Sequence, residues 1–238
     1  MPAAHLILAR HLKGPSMAII NNTFNFIFIH VPKAAGTSIT NALSEYTTYC
    51  DLEIGGTAFG ENIQPFFRNK FGLYKHIPAR ELKNIIGHKD WVKFFTFSIV
   101  RHPADRLLSI FNFLKQWEGT PEDLREKLLE FESFDDFVTS EIWKARPGPD
   151  NIFFPQTFWL TNKTELIVNY VGKLECLDES LNFIHKAIGL KKSHDFKVSK
   201  LNQSNGEKNF TEISKEAKVL INEYYASDFE KFDYEKLL

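Results

Sequence analysis

An α/β fold built on a mainly parallel sheet is what this sequence of 238 residues predicts, and three observations carry the prediction. Strand-like and helix-like segments alternate along the chain. Residues 94–100 are almost uniformly apolar, which suits an inner strand of a parallel sheet covered on both faces. Two apolar runs also end alike, each stopping at a short loop that opens into a helix: FIFIHVPKAAGTS at 26–38 and FTFSIVRHPADRLLS at 95–109.

Residues 1–22 form an N-terminal segment, extended or flexible, with no functional signal, and 23–238 form one domain, long enough to bury a substantial core. Residues 25–31 are the first strand, followed by a helix from Thr37 to about Tyr46 whose opening hydroxyls suit a helix N-terminus. Residues 51–68 carry several glycines and little periodicity, and read as a loop facing the substrate. Residues 78–86 have amphipathic helical spacing and stop at Gly87. After the second strand, at 94–100, come helices at 103–117, 121–130 and 133–145. Arg146-Pro147-Gly148-Pro149-Asp150 is a firm break, after which core-like aromatic sequence resumes at 152–160. A short strand at 166–170, a helix at 177–188 closed by Gly189, a polar loop at 193–209 and a last helix at 214–225 complete the reading.

A strand, a tight loop and a helix start together make an anion cradle, because the first N–H groups of a helix have no partner within it. Lys33 lies three positions before Gly36, the reverse of the order in a magnesium-nucleotide loop, where the lysine follows the glycine and a Ser/Thr follows the lysine. The second loop sets Arg101 at a strand end, with Ser109 eight residues on across a strand-to-helix turn. A forked guanidinium and a hydroxyl suit a phosphate. Two such sites at two strand ends point to a ligand with anionic groups at both ends.

Pro32-Lys33-Ala34-Ala35-Gly36-Thr37-Ser38 and Arg101-His102-Pro103-Ala104-Asp105-Arg106-Leu107-Leu108-Ser109 resemble the PK-x-x-GTS and R-x-P-x-x-R-x-x-S motifs of sulfotransferases that use 3′-phosphoadenosine 5′-phosphosulfate (PAPS). The likeness is to the carbohydrate-type, single-domain branch that includes the heparan and chondroitin O-sulfotransferases. It extends through Pro155-Gln156, Gly172-Lys173-Leu174-Glu175, Leu201-Asn202-Gln203-Ser204 and the terminal Tyr225, Asp228, Phe232 and Tyr234. Lys173 stands where arginine is commoner, which keeps the charge and loses the fork.

The resemblance implies a three-layer α/β/α, P-loop-like fold. It further implies transfer of a sulfuryl group from PAPS to a hydroxyl, less readily an amine, of a carbohydrate or small hydroxylated metabolite, releasing adenosine 3′,5′-bisphosphate. It assigns Lys33 and the backbone of Ala34, Ala35, Gly36, Thr37 and Ser38 to the 5′ end of the donor. Arg101 and Ser109 fall to the 3′-phosphate, and Asn202, Ser204 and Lys208 to a loop over the nucleotide. No metal is implied. Arg106 is as well suited to a structural ion pair, with Asp105 for instance, as to the ligand; Glu175 suits a buried ion pair.

An alcohol needs a general base, and histidine, with an unperturbed pKa near ~6.5, suits the task. Of the eight histidines, His76 lies between the two loops, where related enzymes keep their base. His88 is its competitor, His30 reads as a packed neighbour of the cradle, and His102 as tolerated variation. Lys75 suits an anionic acceptor or solvent.

A net charge of −1 argues against a general nucleic-acid or membrane-surface binder while leaving room for local basic patches. The 23 phenylalanines read as core. Cys50 and Cys176 are too few for a disulfide framework or metal cluster. No stretch is long enough to span a bilayer and no signal peptide is evident, so the expected location is cytoplasmic. A kinase of similar fold would need a hydroxyl directly after Lys33, and an inactive nucleotide-binding module would keep the cradle and lack the base.

Overall fold

The computed structural model describes residues 18–55, 58–145, 152–190 and 213–238. Its centre is a five-stranded sheet. β1 (Ile19–Asn21), β2 (Phe26–Phe28), β3 (Leu52–Glu53), β4 (Phe95–Val100) and a strand at Tyr170–Lys173 lie in the order β3-β1-β2-β4 and then Tyr170–Lys173. The last three run parallel, in the register Phe28↔Phe97 and Val100↔Lys173. β1 is antiparallel to both β2 and β3, so the sheet is mixed where a mainly parallel one was expected. β1 lies at the end of the segment to which the sequence assigned no element.

Alternation in the central strands sends side chains to both faces. Phe26, Phe28, Phe97 and Ile99 pack on one face against Ile39 and Leu43 of α1 (Gly36–Ser44) and Leu181 and Ile184 of a helix at Leu177–Ala187. Ile27, Ile29, Val31 and Val100 pack on the other face against a cluster holding Trp159 and, from another helix at Ala79–Ile86, Leu82. This double cover explains why the central strands read as continuous apolar runs.

Three expectations are corrected. Residues 51–68, read as loop, hold β3 and most of α2 (Ala58–Phe71), with Pro65 inside the helix. The helix was hard to read because its inner face is partly polar: Gln64 accepts the backbone N–H of Lys75 at 2.8 Å and Glu61 pairs with the Lys75 ammonium at 3.0 Å. The helices beyond it are α3 (Ala79–Ile86), α4 (His88–Trp91), α5 (Pro103–Gln116), α6 (Glu122–Glu130), α7 (Phe134–Thr139) and α8 (Ile142–Ala145). The expected single helix at 133–145 is thus two. Ser133 and Asp136 cap the start of α7 reciprocally, while Glu141, at φ 55°, turns the chain so that Trp143 donates back to the Val138 carbonyl at 2.9 Å.

α9 (Thr157–Leu160) is followed by β5 (Thr161–Asn162), β6 (Glu165–Leu166) and β7 (Tyr170–Lys173). The strand expected at 166–170 is therefore divided: Leu166 belongs to the separate β5–β6 hairpin, and the sheet strand begins at Tyr170. Gly172 allows the helix behind β7 to come close, since a Cβ there would sit 2.6 Å from both Ile99 and Ser180. That helix is α10 (Leu177–Ala187). α11 (Lys215–Tyr224) and α12 (Ala226–Lys231) then pack Ala217, Ile221, Tyr225 and Phe229 into the cluster formed by α5, α6 and α7. Among the described residues, no helix is long and apolar enough to cross a membrane.

Candidate active site

The parallel strands β2 and β4 both end at one cavity of about 170 Å³. Lys33, Ala35, Gly36, Thr37 and Ser38 line it from the first loop, Arg101 and Ser109 from the second, and His76 from the segment before α3. His30, Lys75, Phe113 and Ile152 complete much of the wall. Ala34 is 1% exposed and its side chain faces the core. His88 is exposed at the start of α4 and outside the cavity. Asn202, Ser204 and Lys208 lie outside the described residues, as do His5, His11 and His194.

The first loop has a backbone geometry that suits an anion. Lys33 (φ 64°) and Ala35 (φ 59°) are both left-handed, a conformation that helps to turn successive N–H groups toward one concavity. The helix begins one residue earlier than expected, with Ala35 as its N-cap and no side-chain cap. Thr37 and Ser38 therefore stand within the first turn, whose N–H groups have no partner inside the helix, and both residues line the cavity. Gly36 is required by a neighbour: a Cβ there would lie 1.8 Å from Nε2 of His30. The His30 ring is buried and cannot swing freely, with Phe28 stacked at 6.1 Å and the His76 ring at 4.4 Å. Gly36→Ala is expected to lower stability by about 1–3 kcal/mol through overpacking. His30→Ala in the same chain should restore most of that loss in a denaturant titration; no restoration would mean that the ring is not the obstacle.

The ammonium of Lys33 sits over the Phe113 ring, 4.1 Å from its centroid. Burial, and then the charges of Arg101 and Lys75, lower its pKa from 10.5 to about 8. Phe113 was not singled out from the sequence, although it follows Ser109 by one helical turn, the spacing that shares a face. Arg101 is paired with Asp105 at 3.8 Å, and both side chains are largely buried. Lys75 is held by Glu61 of the helix that the sequence reading missed.

His76 Nδ1 lies 3.2 Å from the carbonyl oxygen of His30. A carbonyl only accepts, so this contact places the proton on Nδ1 and leaves Nε2 as the basic nitrogen. Trp159, fully buried, donates its indole N–H to the His76 carbonyl at 3.0 Å and so fixes the main chain. Burial, and then the charge of Lys75, lower the His76 pKa to about 3, with smaller contributions from Arg106 and Lys33 working against the raising effect of the His30 carbonyl. The ring is neutral at physiological pH.

Arg106 is not among the residues that line the cavity. Fully buried, it donates through Nε to the carbonyl of Pro32 at 2.9 Å, through Nη1 to Phe154 at 2.9 Å and through Nη2 to Ile152 at 2.7 Å. It therefore ties the lysine loop to the segment beside it, and its partners are carbonyls where the sequence suggested Asp105. Lys173 is engaged elsewhere, donating to the Asp233 carbonyl at 2.6 Å and lying over Tyr234. Glu175 is exposed and forms hydrogen bonds where a buried ion pair was expected: it accepts from the His102 N–H and the Tyr234 hydroxyl, both at 2.8 Å. His102 also does more than tolerate its position, for its ring packs edge-on against Phe229 and Tyr234.

No curated protein and no solved structure matches this chain. Residues 16–235, however, match the model of the sulfotransferase family. The matched span contains all five strands of the central sheet and every described residue that lines the cavity. On that match, this chain belongs to the sulfotransferase family.

Proposed function

We propose that this chain transfers a sulfuryl group from PAPS to a hydroxyl, less readily an amine, of a carbohydrate or small hydroxylated metabolite, and releases adenosine 3′,5′-bisphosphate. The observation that carries the reading is the meeting of Lys33, the Arg101–Ser109 pair and His76 in one cavity. The residues suit the donor. The left-handed loop and uncapped helix start favour an anion, and the cavity holds three cationic side chains, Lys33, Lys75 and Arg101. Helices on both faces of the sheet support a three-layer, P-loop-like arrangement. Against a kinase stands Ala34, a buried methyl where a metal-binding hydroxyl is needed.

In this reading Arg101 and Ser109 grip the 3′-phosphate and the N–H groups of the first turn hold the 5′ end. Lys33 offsets the negative charge that grows on the departing phosphate, an interaction stronger in the transition state than in the ground state. Nε2 of His76 takes the acceptor's proton as the oxygen attacks sulfur. Burial is the largest cause of the low basicity of His76, but two of the cations that add to it, Lys75 and Lys33, line the cavity, so a polyanionic donor offsets their part of the effect.

Titration with adenosine 3′,5′-bisphosphate against adenosine 5′-monophosphate tests the assignment. The bisphosphate should bind at least tenfold more tightly, and equal binding would remove the 3′-phosphate clamp. The pH dependence tests Lys33. An anion favours the protonated amine, so above about pH 7, where the phosphates are ionised, the Kd should stay flat up to the Lys33 pKa of about 8 and rise up to tenfold per pH unit above it. Lys33→Arg, which stays charged, should remove the break. A break that persists in this variant would assign it to another group.

A further inference from the structure

We infer that Gln156 and Asp228 are positioning residues for Arg101, through which the C-terminal helices set the geometry of the 3′-phosphate grip; the inference rests on the donor reading above. β4 ends at Val100, and its ladder partner on β7 ends opposite it at Lys173. Arg101 is thus the first residue past the ladder, where a partly buried main chain still needs partners. The Gln156 side chain supplies both. Its Oε1 accepts the Arg101 N–H at 2.9 Å and its Nε2 donates to the Arg101 carbonyl at 2.7 Å. The amide acts as one further strand residue, and only one of its two flip states satisfies both bonds.

Gln156 is itself fixed from 72 positions away. Asp228, 0% exposed, accepts the N–H of Gln156 at 2.7 Å on one carboxylate oxygen and that of Thr157 at 2.9 Å on the other. A bidentate carboxylate on two successive N–H groups leaves Gln156, also 0% exposed, little freedom to turn. The Arg101 side chain has a loose tether by comparison, its ion pair with Asp105 spanning 3.8 Å. The direction in which its guanidinium enters the cavity is therefore set mainly by the main chain, and hence by α12 through Asp228.

The test is calorimetric binding of adenosine 3′,5′-bisphosphate and adenosine 5′-monophosphate to the full chain. Gln156→Ala should lose at least tenfold in affinity for the bisphosphate with the monophosphate unchanged, a selective loss that general destabilisation does not produce. Gln156→Asn keeps both amide groups on an arm one methylene shorter; it should fall between wild type and Gln156→Ala, and serves if the alanine variant does not fold. Combined with Arg101→Ala, the Gln156 substitution should add no further loss. A wild type that binds both nucleotides equally overturns the 3′-phosphate clamp and this inference together. A wild type that discriminates, beside Gln156 variants that discriminate as well, overturns this inference alone.

Discussion

His76→Asn is expected to reduce sulfuryl transfer by about 10²–10⁴-fold, the usual contribution of a positioned general base, while adenosine 3′,5′-bisphosphate still raises the melting temperature as in wild type. Asparagine can keep the donor to the His30 carbonyl that His76 Nδ1 faces at 3.2 Å, so the variant removes the basic nitrogen and spares the scaffold. Trp159 bonds the main chain of residue 76, which the substitution does not touch. His88→Ala should leave turnover unchanged, because His88 is exposed outside the cavity. A His76→Asn enzyme with wild-type turnover would move the base elsewhere, with His30, whose ring lies 4.4 Å from that of His76, the next position to test.

Arg106→Met should be the most destabilising single change in the site, and without any ligand present. It strips the carbonyls of Ile152, Phe154 and Pro32 of their donor at once. An orphaned buried acceptor costs about 1–3 kcal/mol, and the substitution leaves the acceptors of Pro32, Phe154 and Ile152 without their guanidinium donor. In a chain of this length each kcal/mol shifts the melting temperature by about 2–4 °C, so a fall of roughly 10 °C or more is expected. Arg106→Lys should rescue little of it, since one ammonium cannot reproduce a planar fork across carbonyls from two segments. The donor should also bind more weakly, because the Pro32 carbonyl is the tie that holds the Lys33 loop. A melting temperature within about 2 °C of wild type would mean that water or neighbouring donors replace the guanidinium.

His76 and Arg106 differ in how much of their surroundings a sequence reveals. His76 stood out through its place between two recognisable loops, and it lines the cavity. The role of Arg106 stayed open between ion pair and ligand contact, since nothing in 101–109 reveals that its partners are main-chain carbonyls some 46 to 74 positions away. Gln156 and Asp228 were visible only as members of a resemblance. Their work is done by hydrogen bonds to backbone, and backbone partners carry no side-chain signature in a sequence. α2 was missed for a related reason: Glu61 and Gln64 give its inner face a polar character that breaks the apolar period.

By itself the amino-acid order determined what short-range physics writes locally. It set out the apolar β2 and β4 runs, the loops that end them, the start of α5 at Pro103, and the kind of chemistry that a lysine, an arginine–serine pair and a histidine can perform. The tertiary structure alone decided that these groups share one cavity, that β1 and β3 extend the sheet antiparallel, and that the His76 proton sits on the nitrogen facing His30. It also decided that Asp228, near the end of the chain, braces the strand end from which Arg101 departs. The division follows from range. Propensity, capping and periodicity act over a few residues, whereas burial, charge and hydrogen-bond partners depend on groups that only the folded chain brings together.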